Sequence, residues 1–302
     1  MLISNRVNIH NIVSGTGSHF LVDLTLCVST YVLYLLIPDS KIGIPVLIPS
    51  VLGTALAFFI GFKNNQAYDR WWEARKIWGA LVNDSRTWAR QVIYFIETNH
   101  TGPEPDRVIR EMVHRHIAFL YALKQGLRKS VEEEYIKYIS EDEVSHVRSE
   151  SNKANAILNI QTRELNKVYS SGDIDGFRFI ELNKMLVNFC DGMGKSERIA
   201  NTVFPTTYNY YTKLFTWIFI VFVTLASAGS LGAYSIIVGT LVGYVFLTTQ
   251  KIGITLLNPF DDIITGIPLN QITRTIEINL LEALNEKDIP EPVQSVDGEY
   301  IM

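Results

Sequence analysis

Hydrophobic and polar positions divide the chain into two apolar blocks on either side of a long polar segment. The first block predicts membrane helices at about 18–37 and 44–62, and the second of these runs carries no formal charge. The other block, Leu214–Gln250, is also uncharged, and small residues near its middle split it into helices at about 214–231 and 233–250. At about 1.5 Å of rise per residue, each run comes close to crossing a bilayer core of about 30 Å. The pattern therefore predicts four transmembrane helices.

The polar segment 63–212 shows the periodicity of helices. Further helices are predicted at about 177–188 and, within the C-terminal segment 251–302, at 274–286. We therefore predict an all-α membrane protein in which 1–302 form one domain. The clearest signal is an apolar seam with 3,4 spacing, which is typical of a helix packed on one face. Its residues are Trp71, Ala74, Trp78, Leu81, Ser85, Trp88, Val92 and Phe95.

Composition and charge narrow the function classes. Hydrophobic residues make up 47% of the chain and the formal net charge is −4, so nothing favours a nucleic acid as partner. Lys41 is the only Lys or Arg in the two short turns on one side of the membrane. The positive-inside rule therefore predicts that both termini and the polar segment are cytoplasmic. We expect a multi-pass protein of the cell (inner) membrane, with the lipid bilayer as one partner.

Two neighbouring rows of side chains run along the helix predicted at 44–62. Residues four apart lie on one helix face, so each row forms its own stripe. A bulky stripe could face a lumen, while small residues let two helices approach closely in lipid. The alternative is that the phenylalanines simply face lipid or the protein core. The large row is Thr54, Phe58 and Phe62, and the small row is Gly53, Ala57 and Gly61.

No arrangement of residues typical of catalysis is visible in the sequence. There is no nucleophile elbow, no HExxH motif and no Rossmann fingerprint. Gly194-Lys195-Ser196 resembles part of a phosphate loop, but the full spacing and a preceding strand are missing. His114 and His116 are two residues apart, so on a helix they point in different directions and form a poor metal pair. We predict His114 at the surface and His116 in the core. We predict neither an enzyme nor a bound cofactor.

Several short motifs near both ends of the chain resemble those of the bestrophin family of ion channels, in its prokaryotic branch. The match is carried by Gly61-Phe62, Asn64-Asn65, Tyr68-Asp69-Arg70-Trp71-Trp72-Glu73, Asn258-Pro259-Phe260 and the segment Arg274–Leu284.

This resemblance implies a homopentamer of mostly helical subunits around a central pore. The second transmembrane helix would line the neck of that pore, and the matching positions are those of the large row. A cytosolic vestibule would lead to a second constriction, which the resemblance maps near Val203 and Phe204. The chain departs from the family at Thr54, where a larger aliphatic residue is usual. A hydroxyl there should make the first ring of the neck wider and wetter.

The resemblance also suggests which ions pass. Chloride and other small monovalent anions come first, and gating would occur by dewetting of the hydrophobic neck. A monovalent-cation channel of the same family stays open, because sequence does not fix whether an aromatic ring turns its edge or its face to the ion. A membrane-anchored helical scaffold is the alternative from another class.

Calcium gating is not expected from the sequence. Vertebrate relatives follow their Asn-Pro-Phe motif with a long acidic cluster, whereas here Asn258 is followed only by Asp261 and Asp262. So few carboxylates cannot provide the six or more oxygen ligands, roughly, that calcium requires. We regard these three residues as a reduced remnant of a calcium site.

Overall fold

The computed structural model describes residues 9–37, 44–97, 107–296 and 300, with side chains from Thr16 onward. Within these residues the fold is all-α, as predicted: there are nine α-helices, one 3₁₀ turn at Glu134–Tyr138 and no strand longer than an isolated bridge. The α-helices are α1 (Ile9–Leu36), α2 (Leu47–Phe95), α3 (Arg107–Arg128), α4 (Glu141–Ser149), α5 (Lys153–Ser171), α6 (Gly176–Asn201), α7 (Thr206–Leu231), α8 (Tyr234–Leu256) and α9 (Leu269–Ala283).

Four of the described helices are long and apolar enough to cross a membrane, namely α1, α2, α7 and α8. This number confirms the prediction. All four are longer than predicted: α1 begins at Ile9, the run at 44–62 is only the first part of a 49-residue helix, α7 begins at Thr206 and α8 ends at Leu256. α2 continues because the seam that starts at Trp71 keeps the same helical spacing. The predicted turn at 38–43 lies outside the described residues.

α6 also differs from its prediction. It was expected at 177–188 but extends to Asn201. Asp175 caps its start, where the carboxylate accepts hydrogen bonds from the backbone N–H of Phe177 (2.7 Å) and of Arg178 (3.0 Å). Ser196 lies inside this helix, and its hydroxyl donates to the Gly192 carbonyl at 2.8 Å. The Gly-Lys-Ser segment is therefore helical and cannot form a phosphate loop.

The described residues group into two compact units. Of the described residues, the membrane unit comprises 9–37, 44–70 and 203–257, and the polar unit comprises 71–97, 107–202, 258–296 and 300.

In the membrane unit, α1 packs closely on α8 at a glycine. The Asp23 side chain of α1 is buried, and a Cβ on Gly243 would lie 2.5 Å from its Oδ1 atom. Only glycine leaves room for this carboxylate. Cys27, one helical turn further along α1, lies in the same packed layer with Ile220 and Leu247.

The polar unit has the larger core, and His116 lies inside it, as predicted. Its ring packs 4.2 Å from the Phe189 ring and 6.4 Å from the Trp88 ring, measured between centroids. The Ser85 hydroxyl is 2.8 Å from its Nε2 atom. Burial lowers the pKa of His116 to about 3, so the imidazole is neutral at physiological pH. His114 is half-buried instead and lies 2.7 Å from Glu286.

A buried carboxylate joins α9 to the rest of the polar unit. Glu277 accepts a hydrogen bond from the Tyr121 hydroxyl at 2.5 Å and another from the Tyr138 hydroxyl. Arg274 approaches the same carboxylate at 3.2 Å. Burial, together with the Glu277 carboxylate, raises the pKa of both tyrosines, so both remain hydrogen-bond donors.

Candidate pore-lining helix

The large row of α2 points away from its own subunit. Thr54 is exposed, Phe58 is 70% exposed and Phe62 is 52% exposed. Leu56 and Ile60, on the opposite side of the helix, are buried in the membrane unit. Two exposed phenylalanines four residues apart form an apolar stripe on the outside of the helix. In an assembled membrane protein such a stripe faces lipid, another subunit or the lumen of a pore.

The small row divides into one inward and two outward positions. Gly53 packs on α7, because a Cβ at this position would lie 2.9 Å from the Phe219 ring. Ala57 and Gly61 are exposed, and a Cβ at Gly61 would meet no atom within 4 Å. Only Gly53 therefore serves packing within the subunit, while the other two leave a shallow surface on its outside.

Thr54 uses its hydroxyl hydrogen within its own helix. Its Oγ1 donates to the Ser50 carbonyl at 2.9 Å, a bond commonly made by threonine inside helices. What remains on the outer face is a methyl group and oxygen lone pairs. Thr54 thus offers an acceptor rather than a donor, although it is the only polar residue of the large row.

A chain of aromatic contacts connects the large row to the start of α7. Phe58 and Phe59 meet edge to face with centroids 6.0 Å apart, and Phe59 and Tyr208 do so at 6.2 Å. The Tyr208 hydroxyl donates to the Phe59 carbonyl at 2.8 Å, and the ring centroids of Tyr208 and Phe204 are 5.7 Å apart. Val203 is 75% exposed. Any constriction formed by Val203 and Phe204 would therefore lie close to the large row.

The Asp-Arg-Trp-Trp-Glu motif, residues 69–73, lies in α2 just beyond the large row. Asp69 accepts from Asn65 at 3.4 Å, one turn earlier, and Arg70 is half-buried. Trp71 stacks on Trp72 with centroids 6.3 Å apart.

Two members of this motif connect α2 to other parts of the polar unit. The Trp71 indole N–H donates to the Thr265 carbonyl at 2.9 Å, and Glu73 accepts from Arg198 of α6 at 2.6 Å. The motif therefore has an evident structural role: it fixes α2 against the loop before α9 and against α6.

The residues of the calcium remnant do not fit a calcium site. The Asn258 amide donates to Asp261, and the Arg128 guanidinium lies 3.0 Å from Asp262 as an ion pair. Arg128 also donates to the Phe260 carbonyl at 3.3 Å. A cation from the chain itself already holds this loop. Among the described residues, no group of three or more His, Cys, Asp or Glu side chains is placed to hold a metal ion.

Two features of the site were missed from the sequence. The sequence predicts Lys63 as the charge that ends the span at 44–62, yet its side chain is 0% exposed. The spacing of Lys63 could have indicated this burial, because Lys63 lies three residues after Ile60 and continues the buried row of Leu56 and Ile60. Phe177, in the first turn of α6, is 85% exposed. No periodicity in the sequence distinguishes it from an ordinary core phenylalanine.

Comparison with known proteins agrees with the motifs. The family described as bacterial and fungal bestrophin protein matches residues 8–282. A protein of Escherichia coli, named voltage-dependent anion channel-forming protein YneE, is 32% identical over 242 residues, which cover 80% of this chain and 77% of that protein. A protein of Mesorhizobium japonicum that carries the same functional name is 28% identical over 236 residues, or 78% of this chain and 74% of that protein.

Solved structures give the same result. The crystal structure of a bacterial bestrophin homologue from Klebsiella pneumoniae aligns with a TM-score of 0.81 at 26% identity and covers 88% of this chain and 97% of that chain. The matched residues include all four apolar helices and the Asp-Arg-Trp-Trp-Glu motif. The chain is therefore a membrane protein and belongs to the bacterial and fungal bestrophin family.

Proposed function

We propose that the protein is a pore-forming ion channel that conducts chloride and other small monovalent anions. The observation that carries this proposal is the large row of α2. Its two phenylalanines and one threonine are exposed on the outside of a membrane helix. The names of the Escherichia coli and Mesorhizobium japonicum relatives, both described as anion channel-forming, support it.

The subunits assemble as a homopentamer in which the large row of each α2 faces the axis. Thr54, Phe58 and Phe62 then form three successive rings of a neck. Five phenylalanine rings at one level make a narrow apolar section from which water withdraws, and such a section gates by dewetting. Gly53 sits against α7 of its own subunit, while Ala57 and Gly61 allow the α2 helix of a neighbour to approach closely.

Val203 and Phe204 narrow the pore again just beyond the neck, next to the Tyr208 contact. The protein resides in the inner membrane with both termini in the cytoplasm, which the distribution of Lys and Arg supports.

Chloride efflux from proteoliposomes tests this function. Vesicles loaded with KCl and diluted into an impermeant-anion buffer should release chloride when they contain the protein and a potassium ionophore. Vesicles carrying heat-denatured protein are the control. Release at the rate of empty vesicles, from protein that is demonstrably folded and assembled, would favour the scaffold alternative.

A further inference from the structure

Lys63 directly follows the last residue of the large row, yet its side chain turns into the protein. It is 0% exposed, on the same helix face as Leu56, Ile60 and Ala67, which are also buried. Residues spaced by three and four positions share a face, so Lys63 belongs to the packed side of α2. A lysine that follows a membrane span more often extends its ammonium group into water.

Contacts on two sides hold the turn of α2 that carries Lys63. On one side, the Tyr208 hydroxyl of α7 donates to the Phe59 carbonyl at 2.8 Å. On the other, the Asn64 amide donates to the Thr249 carbonyl of α8 at 2.9 Å, and Asn64 lies directly against Gly253. The turn of α2 that carries Lys63 is therefore hydrogen-bonded to both α7 and α8.

No described acidic side chain forms an ion pair with Lys63. Its Nζ atom makes no hydrogen bond with any described residue. The described part of the membrane unit contains only two acidic residues, Asp23 and Asp69. Asp23 packs against Gly243, and Asp69 accepts from Asn65. Neither of these two described carboxylates is therefore paired with the lysine.

A buried charge acts on an ion differently from a charge at the surface. Exposed charges are screened over a Debye length of about 8 Å in physiological salt, whereas buried charges are screened much less. At an effective dielectric constant of about 20, a unit charge on the order of 10 Å away changes the local occupancy of an ion by roughly tenfold. The large row itself offers no such effect, since both phenylalanines are uncharged and Thr54 presents only an acceptor.

We propose that Lys63 sets the anion preference of the pore. One such cation per subunit forms a ring of positive charge behind the Phe62 ring, which attracts anions and repels cations without contact with the permeating ion. This role rests on the proposed channel function. It favours anion over cation selectivity, a choice that the uncharged side chains of the neck leave open.

Reversal potentials of two Lys63 variants test this role. In a tenfold KCl gradient, Lys63→Met should lower the chloride-to-potassium permeability ratio about threefold or more, while Lys63→Arg should keep it. Lys213→Met is the matched control, because it removes an exposed cation of the same unit. A Lys63→Met channel with an unchanged ratio would overturn the role of Lys63 and leave the channel function intact. A wild-type protein that carries no current would overturn both.

A second measurement needs no variant at this position and applies if Lys63→Met does not assemble. The permeability ratio of the wild-type channel is measured at a constant tenfold gradient, with the mean salt concentration raised from about 0.1 to 1 M, where the Debye length falls from about 10 to 3 Å. A buried cation predicts that the ratio changes by less than about twofold. A collapse of the ratio towards unity would assign the selectivity to exposed charges and contradict the proposal.

Discussion

His116 shows how one buried residue makes stability depend on pH. Burial lowers its pKa from 6.5 to about 3, so the unfolded chain takes up a proton there at a higher pH than the folded chain does. The contribution of the neutral ring to stability is therefore complete above about pH 6.5. As the pH falls from about 6.5 towards 3, the free energy of unfolding should decrease by about 1.4 kcal/mol per pH unit from this residue.

Thermal unfolding of three proteins between pH 7.5 and 5 checks this prediction. His116→Phe should flatten the pH dependence of the melting temperature, because Phe fills the space beside Phe189 and takes up no proton. His146→Gln, at an exposed position, should keep the wild-type dependence. If His116→Phe and wild type lose stability in parallel over this range, His116 is not the residue that titrates.

Single residues were partly predictable from the sequence. The core position of His116 followed from helical spacing alone, because one face of α3 is apolar. The burial of Lys63 and the hydrogen bond of Thr54 to Ser50 were missed. Both depend on which neighbour a helix turn packs against, and spacing within one helix does not contain that information.

At the level of elements, the Glu277 contacts attach α9 to α3 and to the turn at Glu134–Tyr138. Replacing both Tyr121 and Tyr138 by Phe should remove two donors from a buried carboxylate and leave only Arg274 beside it. A buried carboxylate that lacks hydrogen-bond donors destabilises the folded state. The free energy of unfolding should therefore fall by about 2–4 kcal/mol.

Urea unfolding in detergent measures this loss. Tyr94→Phe is the control, because Tyr94 is exposed and its replacement should change stability by less than about 0.5 kcal/mol. A double variant of Tyr121 and Tyr138 as stable as the control would show that Glu277 does not hold α9 in place.

Element boundaries show where sequence reasoning stops. The four apolar helices and the seam of α2 were foreseen because hydrophobic periodicity is strong there. The extra length of α1, which begins at Ile9, was not, since its first residues are polar and carry no membrane signal. The full length of α6, to Asn201, was missed for a similar reason: its C-terminal half contains two glycines that suggested a loop.

For the whole molecule, the small row predicts how subunits meet. A Cβ at Gly61 would touch nothing in its own chain, so Gly61→Leu should leave the fold of one subunit unchanged. It should nevertheless prevent the pentamer, because the larger side chain would keep neighbouring α2 helices apart.

Native mass spectrometry in detergent measures the assembly. Wild type and Gly126→Leu, a control at another open glycine, should both appear as five subunits, while Gly61→Leu should appear as smaller species. Any wild-type stoichiometry other than five would contradict the pentamer. An intact Gly61→Leu pentamer would remove the small row from the interface.

The number of subunits and the neck are properties of the assembly, and one chain determines them only indirectly. The sequence could single out the large row because two phenylalanines and a threonine repeat at a spacing of four. Exposure of the same residues in the subunit is the structural counterpart of that pattern. In the proposed assembly, other copies of the chain surround these side chains. Neither the sequence nor a single subunit therefore shows what the large row faces.

The central claim is an anion pore gated at the phenylalanine rings of α2. Planar-bilayer recording under a KCl gradient, with wild type beside a Phe58→Ala/Phe62→Ala variant, tests it most directly. We predict a reversal potential near the chloride equilibrium value and larger currents in the variant, because smaller side chains let water and ions remain in the neck. A reversal potential near the potassium equilibrium value, or no current from either protein, would contradict the account.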